Sequence, residues 1–174
     1  MIRRWIGPLI VALLLAMGAW HVTMMMVPDA LMHLAVGRIA KAGGPNHFTH
    51  APLATAASRT IVRPSPDLAY SSCPFDLSKG PLLIDAVPVL APYWSLSIFD
   101  ARTNVALVRN GIKANYKPFR IAVLKAGQTA PAGYEAVHVD GTRGIALIRI
   151  LIDDRARFPV IDQERRATIC RVAT

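Results

Sequence analysis

Residues 63–84 read RPSPDLAYSSCPFDLSKGPLLI, which puts a turn, an acid, a tyrosine, a cysteine and a strand into one short stretch. Pro64 and Pro66 fix their own φ and push the preceding residue away from helix, so Arg63 and Ser65 are expected to be extended. Asp67 is suited to cap the local turn with its carboxylate. Tyr70 would then pack its ring while its hydroxyl finds a polar partner. On this reading the stretch is the turn that starts a β-sheet. A chemical reading stands beside it, in which Asp67 and Tyr70 form an acid/base or ligand-positioning pair close to Asp100 and Asn104 in a pocket.

The residues that follow favour the sheet. PLLIDAV at 81–87, YWSLSIF at 93–99, VALVR at 105–109, FRIAVLK at 119–125, EAVHV at 135–139 and GIALIRILI at 144–152 are separated by Pro, Gly, Asn and Asp, and RTIVR at 59–63 precedes them. In 93–99, Trp94, Leu96 and Ile98 alternate with Tyr93, Ser95, Ser97 and Phe99, so one face is expected to be core. GIALIRILI is apolar on both sides except at Arg149, as expected for a central strand with Arg149 paired or at a rim. PVIDQERRATICRV at 159–172 reads as a helix with Ile161, Thr168 and Val172 inward and Arg165 and Arg166 exposed. The expected fold is mainly β (α+β): an antiparallel β-sandwich or curled sheet with helices at both chain ends. At 174 residues the chain suits one domain with a real core.

The N-terminus carries much of the apolar excess. After Arg3 and Arg4 no charge appears from Trp5 to Val27, a length that matches the ~20 residues needed to cross a bilayer core. A cleaved signal peptide has a shorter apolar core and a small-x-small site, of which Ala16-Met17-Gly18-Ala19 is a poor version. An uncleaved anchor over 1–28 is therefore expected, contacting lipid through Trp5 to Val27, with a single β-rich domain over 29–174. Arg3 and Arg4 precede the span and the first basic residue after it is Arg38. The N-terminus is accordingly expected in the cytoplasm and the domain outside, in the periplasm if the membrane is a bacterial inner membrane. Pro28 and Asp29 read as a break and a cap before a second helix, ALMHLAVGRIAKAGG, whose docking stripe would be Leu31, Ala35, Ile39 and Ala42. Cys73 and Cys170 suit an oxidising compartment; a bridge and two buried thiols are both open readings.

The net charge of +9 is scattered, without the basic helix or aromatic motif of a nucleic-acid reader. It fits a solvated surface, an anionic membrane or an acidic partner. His47 and His50 form H-x-x-H in an apparent loop, and His138 would be a third ligand only if the fold brought it close, so no metal is expected. The motifs of serine hydrolases, P-loops, dinucleotide-binding folds and zinc proteases are absent, and no cofactor is expected.

RTIVRPSPDLAYSSCPFDLSKGPLLI, with YWSLSIFDARTN and GIALIRILI after it, resembles the domain-of-unknown-function 1254 family over roughly residues 45–152. Its pattern is approximately R-P-N-x-D-x-x-Y-S, then D-L-S-x-G-P, then R-Y-W-x-L-x-x-x-D-x-x-T-N. The matching positions are Arg63, Pro64, Asp67, Tyr70, Ser71, Asp76, Gly80, Pro81, Tyr93, Trp94, Asp100, Thr103 and Asn104. Ser65 stands where the family usually has Asn, and Pro92 where it usually has Arg. Longer relatives add a second β-rich domain, the 1214 family, and the resemblance implies a hetero-oligomer with a separately encoded protein of that kind. The family has no settled activity. The expected role is a membrane-anchored envelope protein that binds or assembles without catalysis. Arg63, Tyr93 and Asn104 are then candidate binding residues, with Trp94 or Phe99 joining Tyr93 if exposed. The alternative is an envelope hydrolase using Asp67 and Tyr70, with Asp100 as a further candidate.

Overall fold

The computed structural model describes residues 4–55, 57–58 and 64–173. The strand expected at 59–63 and the candidate Arg63 lie outside the described residues. The chain is mainly β, with a long N-terminal helix and a short C-terminal one.

Strand β8 (Arg143–Leu151) is the centre of the larger sheet. It pairs antiparallel with β2 (Leu68–Asp76) on one side and β4 (Trp94–Phe99) on the other. The two-residue β1 (Thr49–His50) extends the sheet beyond β2, and β5 (Val105–Asn110) forms the edge beyond β4. The second sheet has the order β7 (Glu135–His138), β6 (Phe119–Leu124), β3 (Leu82–Ala86), β9 (Ile169–Val172), with only the β6·β7 pair parallel. Because strand side chains alternate, each sheet gives one face to a shared core. Ala69, Cys73, Phe75, Trp94, Leu96, Ile98, Ile148 and Ile150 meet Leu82, Ile84, Ile121, Val123, Val137 and Cys170 there.

Two devices lock the sheets together. Cys73 on β2 and Cys170 on β9 form a disulfide across the core, with Cα atoms 6.8 Å apart. At the other side, the Arg109 guanidinium on β5 donates to Glu135 on β7 at 2.7 Å and lies 4.8 Å over the Phe119 ring. Within the larger sheet, β8 lies tight against its two neighbours at Gly144, where a Cβ would fall 2.1 Å from the Phe99 carbonyl oxygen on β4 and 2.4 Å from Phe75 on β2. Only glycine fits there.

Helix α1 (Ile6–Gly43) runs through Pro28 without a break. This corrects the expected interruption at residue 28: Pro28 removes one N–H from the ladder, and the flanking helix formers carry the helix past it. The docking stripe also shifts. Met32, Ala35, Val36 and Ile39, at i, i+3, i+4 and i+7, pack on Phe99, Ile145 and Leu147 of the larger sheet's outer face, while Leu31 and Ala42 are exposed. The N-terminal part is long and apolar enough to cross a membrane, with a mean hydropathy of 2.0 and no burial. Gly44, at φ 80°, donates its N–H to the Ala40 carbonyl and ends the helix. Asn46 then pins the chain to β2 through the Pro74 carbonyl and the Asp76 backbone.

The C-terminal segment differs from its expectation. Helix α2 (Phe158–Arg165) is short, and residues 169–172 form β9. Thr168 points inward as expected, but it does so outside the helix, bonded to the backbone of Val87. Arg165, expected on the surface, is 1% exposed.

The bridge should carry much of the domain's stability, since it closes a loop of 97 residues. Replacing Cys73 and Cys170 together by alanine is expected to lower the unfolding free energy by about 2–5 kcal/mol. Urea denaturation of the full chain in detergent measures this, and reductant should then have no further effect on the double variant.

Candidate functional site

The register of β8 separates the residues that a catalytic reading would bring together. Leu68, next to Asp67, pairs with Leu151, whereas Phe99, next to Asp100, pairs with Ile145. Leu68 and Phe99 are thus six residues apart along β8, and Asp67 and Asp100 each lie one residue further out, about 27 Å apart along the sheet. Asp100 is spent locally: one carboxylate oxygen accepts the Arg102 and Asn104 N–H groups at 2.8 Å, and the other accepts the Asn104 side-chain amide at 3.0 Å. With Thr103 at φ 66°, the D-x-x-T-N motif is a self-closed turn, and Asn104 belongs to it. An open depression of about 460 Å³ between this turn, α1 and the β7–β8 turn is lined by Asp29, Ala101, Arg102, Asp140 and Gly141.

Around residue 67 the turn is made by backbone. Leu68 N–H reaches the Ser65 carbonyl with Pro66 at the second position, where proline favours a tight turn. The Asp67 carbonyl accepts from Ile152, while its carboxylate is exposed and makes no hydrogen bond among the described residues, which corrects the expected cap. Tyr70 does find a polar partner: its hydroxyl accepts the Ser65 N–H at 3.1 Å. Trp94 is fully buried and Phe99 packs under α1, so of the three aromatic candidates only Tyr93 is exposed, at 38%.

His50 Nδ1 lies 2.9 Å from Ser71 Oγ, and Asp162 is close enough to influence the ring. This resembles a nucleophile–base–acid chain, but Ser71 is 1% exposed, inside the sandwich. Asp162 is held by Arg165 and Arg166. Arg165 also donates to the carbonyls of Tyr70 at 2.8 Å and Ala51 at 2.7 Å, stitching α2 to β2. The arrangement is structural. Burial, followed by the Arg165 and Arg166 charges, holds His50 below its ordinary value, with Asp162 opposing them. Burial pushes Asp162 up, but hydrogen bonds from Arg166 and Arg165 outweigh it and hold the carboxyl low. His47 and His138 bond to the carbonyls of Pro45 and Gln128. Among the described residues, no three metal-binding side chains gather.

A different group is brought together. On the outer face of the larger sheet, Tyr70, Arg149, Ser95 and Asn110 lie directly opposite one another across β2, β8, β4 and β5. Tyr93, whose carbonyl takes the Leu151 N–H, begins the next row, and Ser97 lies in the row on the other side. Helix α1 covers the Ile145 and Leu147 end of this face. Among the described residues, Arg149 donates to Ser97 Oγ alone, at 3.5 Å, and its Nε and the Ser95 hydroxyl are buried without a hydrogen-bond partner. The apolar run around Arg149 pointed to a central strand; the missing acid partner needed the three-dimensional neighbours.

The family model described as protein of unknown function (DUF1254) matches residues 45–171, through α2 and β9 and beyond the expected limit at 152. No curated protein matches the sequence. The crystal structure of the VPA0106 protein from Vibrio parahaemolyticus is similar, with a TM-score of 0.67 at 13% identity, covering 87% of this chain and 36% of that one. An uncharacterised protein from Burkholderia cenocepacia gives 0.47 at 13% identity over 74% of this chain and 34% of its own. The chain thus spans about a third of the length of the solved structures it matches.

Two outcomes follow from this geometry. Asp67→Ala should change stability by no more than about 0.5 kcal/mol, as at an exposed site, whereas Tyr70→Phe, which leaves the Ser65 N–H unpaired, should cost about 1–3 kcal/mol. Thermal and chemical denaturation of the full chain distinguish them. The second concerns pH. His50 and Asp162 both have folded-state values below their unfolded ones, so each contributes stability that is present above the unfolded value and lost as pH falls through the folded one. Stability should hold above the ordinary histidine value of 6.5, fall below it through His50, and fall again below the ordinary aspartate value of 3.8. His50→Gln should remove the first fall and leave the second.

Proposed function

The chain belongs to the family described as protein of unknown function (DUF1254), and on that premise we propose that it is a membrane-anchored cell-envelope domain that binds or assembles and does not catalyse. The observation that carries this reading is α1. One unbroken helix passes from an exposed apolar stretch into a docked stripe on the sheet, so the domain is held against its own anchor. Its 38 residues measure about 57 Å, enough for a bilayer core and the docked turns. Charge bias orients it: Arg3 and Arg4 stay in the cytoplasm, and residues 29–174 face the periplasm of an inner membrane. The Cys73–Cys170 disulfide suits that oxidising side.

The hydrolase alternative requires Asp67 and Tyr70 to act together, and its further candidate Asp100 is engaged at the far end of the sheet. A partner fits the surface better. Edge strand β5 exposes Val105 and Val108, and Leu90 and Ile112 are exposed in loops flanking β4 and β5. The partner of this reading is a separately encoded protein resembling the 1214 family, held through the periplasmic sheet.

A reporter fused after Thr174 that is active only when exported should be active, and a reporter that works only in the cytoplasm should be silent. The reverse result overturns the orientation. Mild detergent extraction should recover the partner, and exchanging residues 5–27 for an unrelated span should leave the pairing intact; pairing lost with that exchange would place the interface in the membrane instead.

A further inference from the structure

We propose that the outer-face row centred on Arg149 is a binding site for an organic monocarboxylate. The inference rests on the binding reading above and names its ligand chemistry. An arginine side chain is charged at any physiological pH and offers donors only. On this face its Nε is buried and unpartnered, its single hydrogen bond goes to Ser97 at the 3.5 Å limit, and no carboxylate pairs with it among the described residues. The neighbouring polar groups, Tyr70, Ser95, Ser97 and Asn110, carry no negative charge to balance it. Ser95, 0% exposed, has a hydroxyl with no partner. The Tyr70 hydroxyl already accepts from Ser65, so its own proton remains to be donated.

An arginine charge with serine and tyrosine hydroxyls in the same row suits an oxygen-rich anion. The charge count selects the kind. One guanidinium balances one negative charge, and its planar edge matches the two oxygens of a carboxylate; a phosphate dianion would bury an uncompensated charge. The next row along β2, β8 and β4 is Leu68, Leu151 and Tyr93, which gives the rest of the ligand an apolar and aromatic neighbour. Hence the ligand carries a carbon body as well as the carboxylate. A protein that tolerates a half-buried cation without a partner gives up stability for it, and functional sites are where that is found.

The test uses the full chain in zwitterionic detergent, with benzoate as probe, benzamide as its neutral counterpart and inorganic phosphate as the competing anion. Calorimetric titration should show saturable benzoate binding, none for benzamide, and weaker or no binding for phosphate. Arg149→Met should weaken benzoate binding by about ten- to a hundredfold, the loss expected for a charged hydrogen bond. It should also raise the melting temperature of the free chain, because an unpaired cation has been removed. Ser95→Ala should weaken binding with the fold intact, and it keeps the proposal testable if the Arg149 variant fails to fold. Equal binding of benzamide, preference for phosphate, unchanged affinity in both variants, or a wild type that binds no probe would each overturn the site. Those failures leave the export and partner results untouched, so the anchored-domain reading stands or falls separately.

Discussion

The two-sided ladder of β8 is the constraint on which the rest of this structure depends. Nine consecutive residues pair with β2, and six of the same residues pair with β4. A slip of one residue in either ladder would exchange the two faces of the sheet, moving Ile148 and Ile150 out of the core and Arg149 into it. The burial of apolar side chains on both faces makes such a slip prohibitive. Inward, the strand meets the second sheet; outward, Ile145 and Leu147 are covered by α1. The same register holds Asp67 and Asp100 at opposite ends and lines up Tyr70, Arg149 and Ser95. What the protein can do chemically is set by a choice made for packing.

Attachment of the second sheet and the two helices follows from that strand's neighbours. Cys73 lies on β2, beside β8, and its disulfide ties the ladder to the last strand of the chain. Arg165 ties α2 to the same strand through the Tyr70 carbonyl, and its charge is balanced by Asp162. Gly144 admits Phe75 and the Phe99 backbone at one end of β8. These contacts link residues far apart in sequence, so both ends of the domain are tied to the central strands.

The legible parts of the fold were those whose pattern is local. Alternation in 93–99 and the long apolar run at 144–152 identified β4 and the central β8, and the length and apolarity of residues 5–27 identified the membrane-crossing candidate. Strand β2 was harder, because its outward positions are Tyr70, Ser72 and Pro74, which read as turn chemistry. Pro74 is tolerated because β1 pairs only with Ser71 and Ser72, so β2 has no second ladder at that point. In sequence β9 continues the pattern of α2; its identity comes from pairing with β3 and from Cys170 facing Cys73. Arg165 looked like a surface residue because its three carbonyl and carboxylate partners come from residues 51, 70 and 162. For the candidate site, Tyr93 and Tyr70 were visible as motif residues, but nothing local distinguished them from Asp67, Asp100 and Asn104.

Arg165 and Arg149 show what separates structural from ligand-directed polarity in this protein. Both are basic residues within apolar surroundings, where an unpaired charge is costly. Arg165 is the more deeply buried, yet its donors meet a carboxylate and two carbonyls, and the Phe158 ring lies 5.5 Å from its guanidinium. Its environment is complete, and nothing needs to be added to explain it. Arg149 is less buried but makes one long hydrogen bond among the described residues, and the hydroxyls around it carry no negative charge to balance its own. Core packing cannot account for that arrangement, because methionine or leucine would fill the same space without a charge. The family motif around Asp67 and Asp100 is absorbed by turns, and it is this incomplete cation on a rigid central strand that calls for a partner from outside the chain.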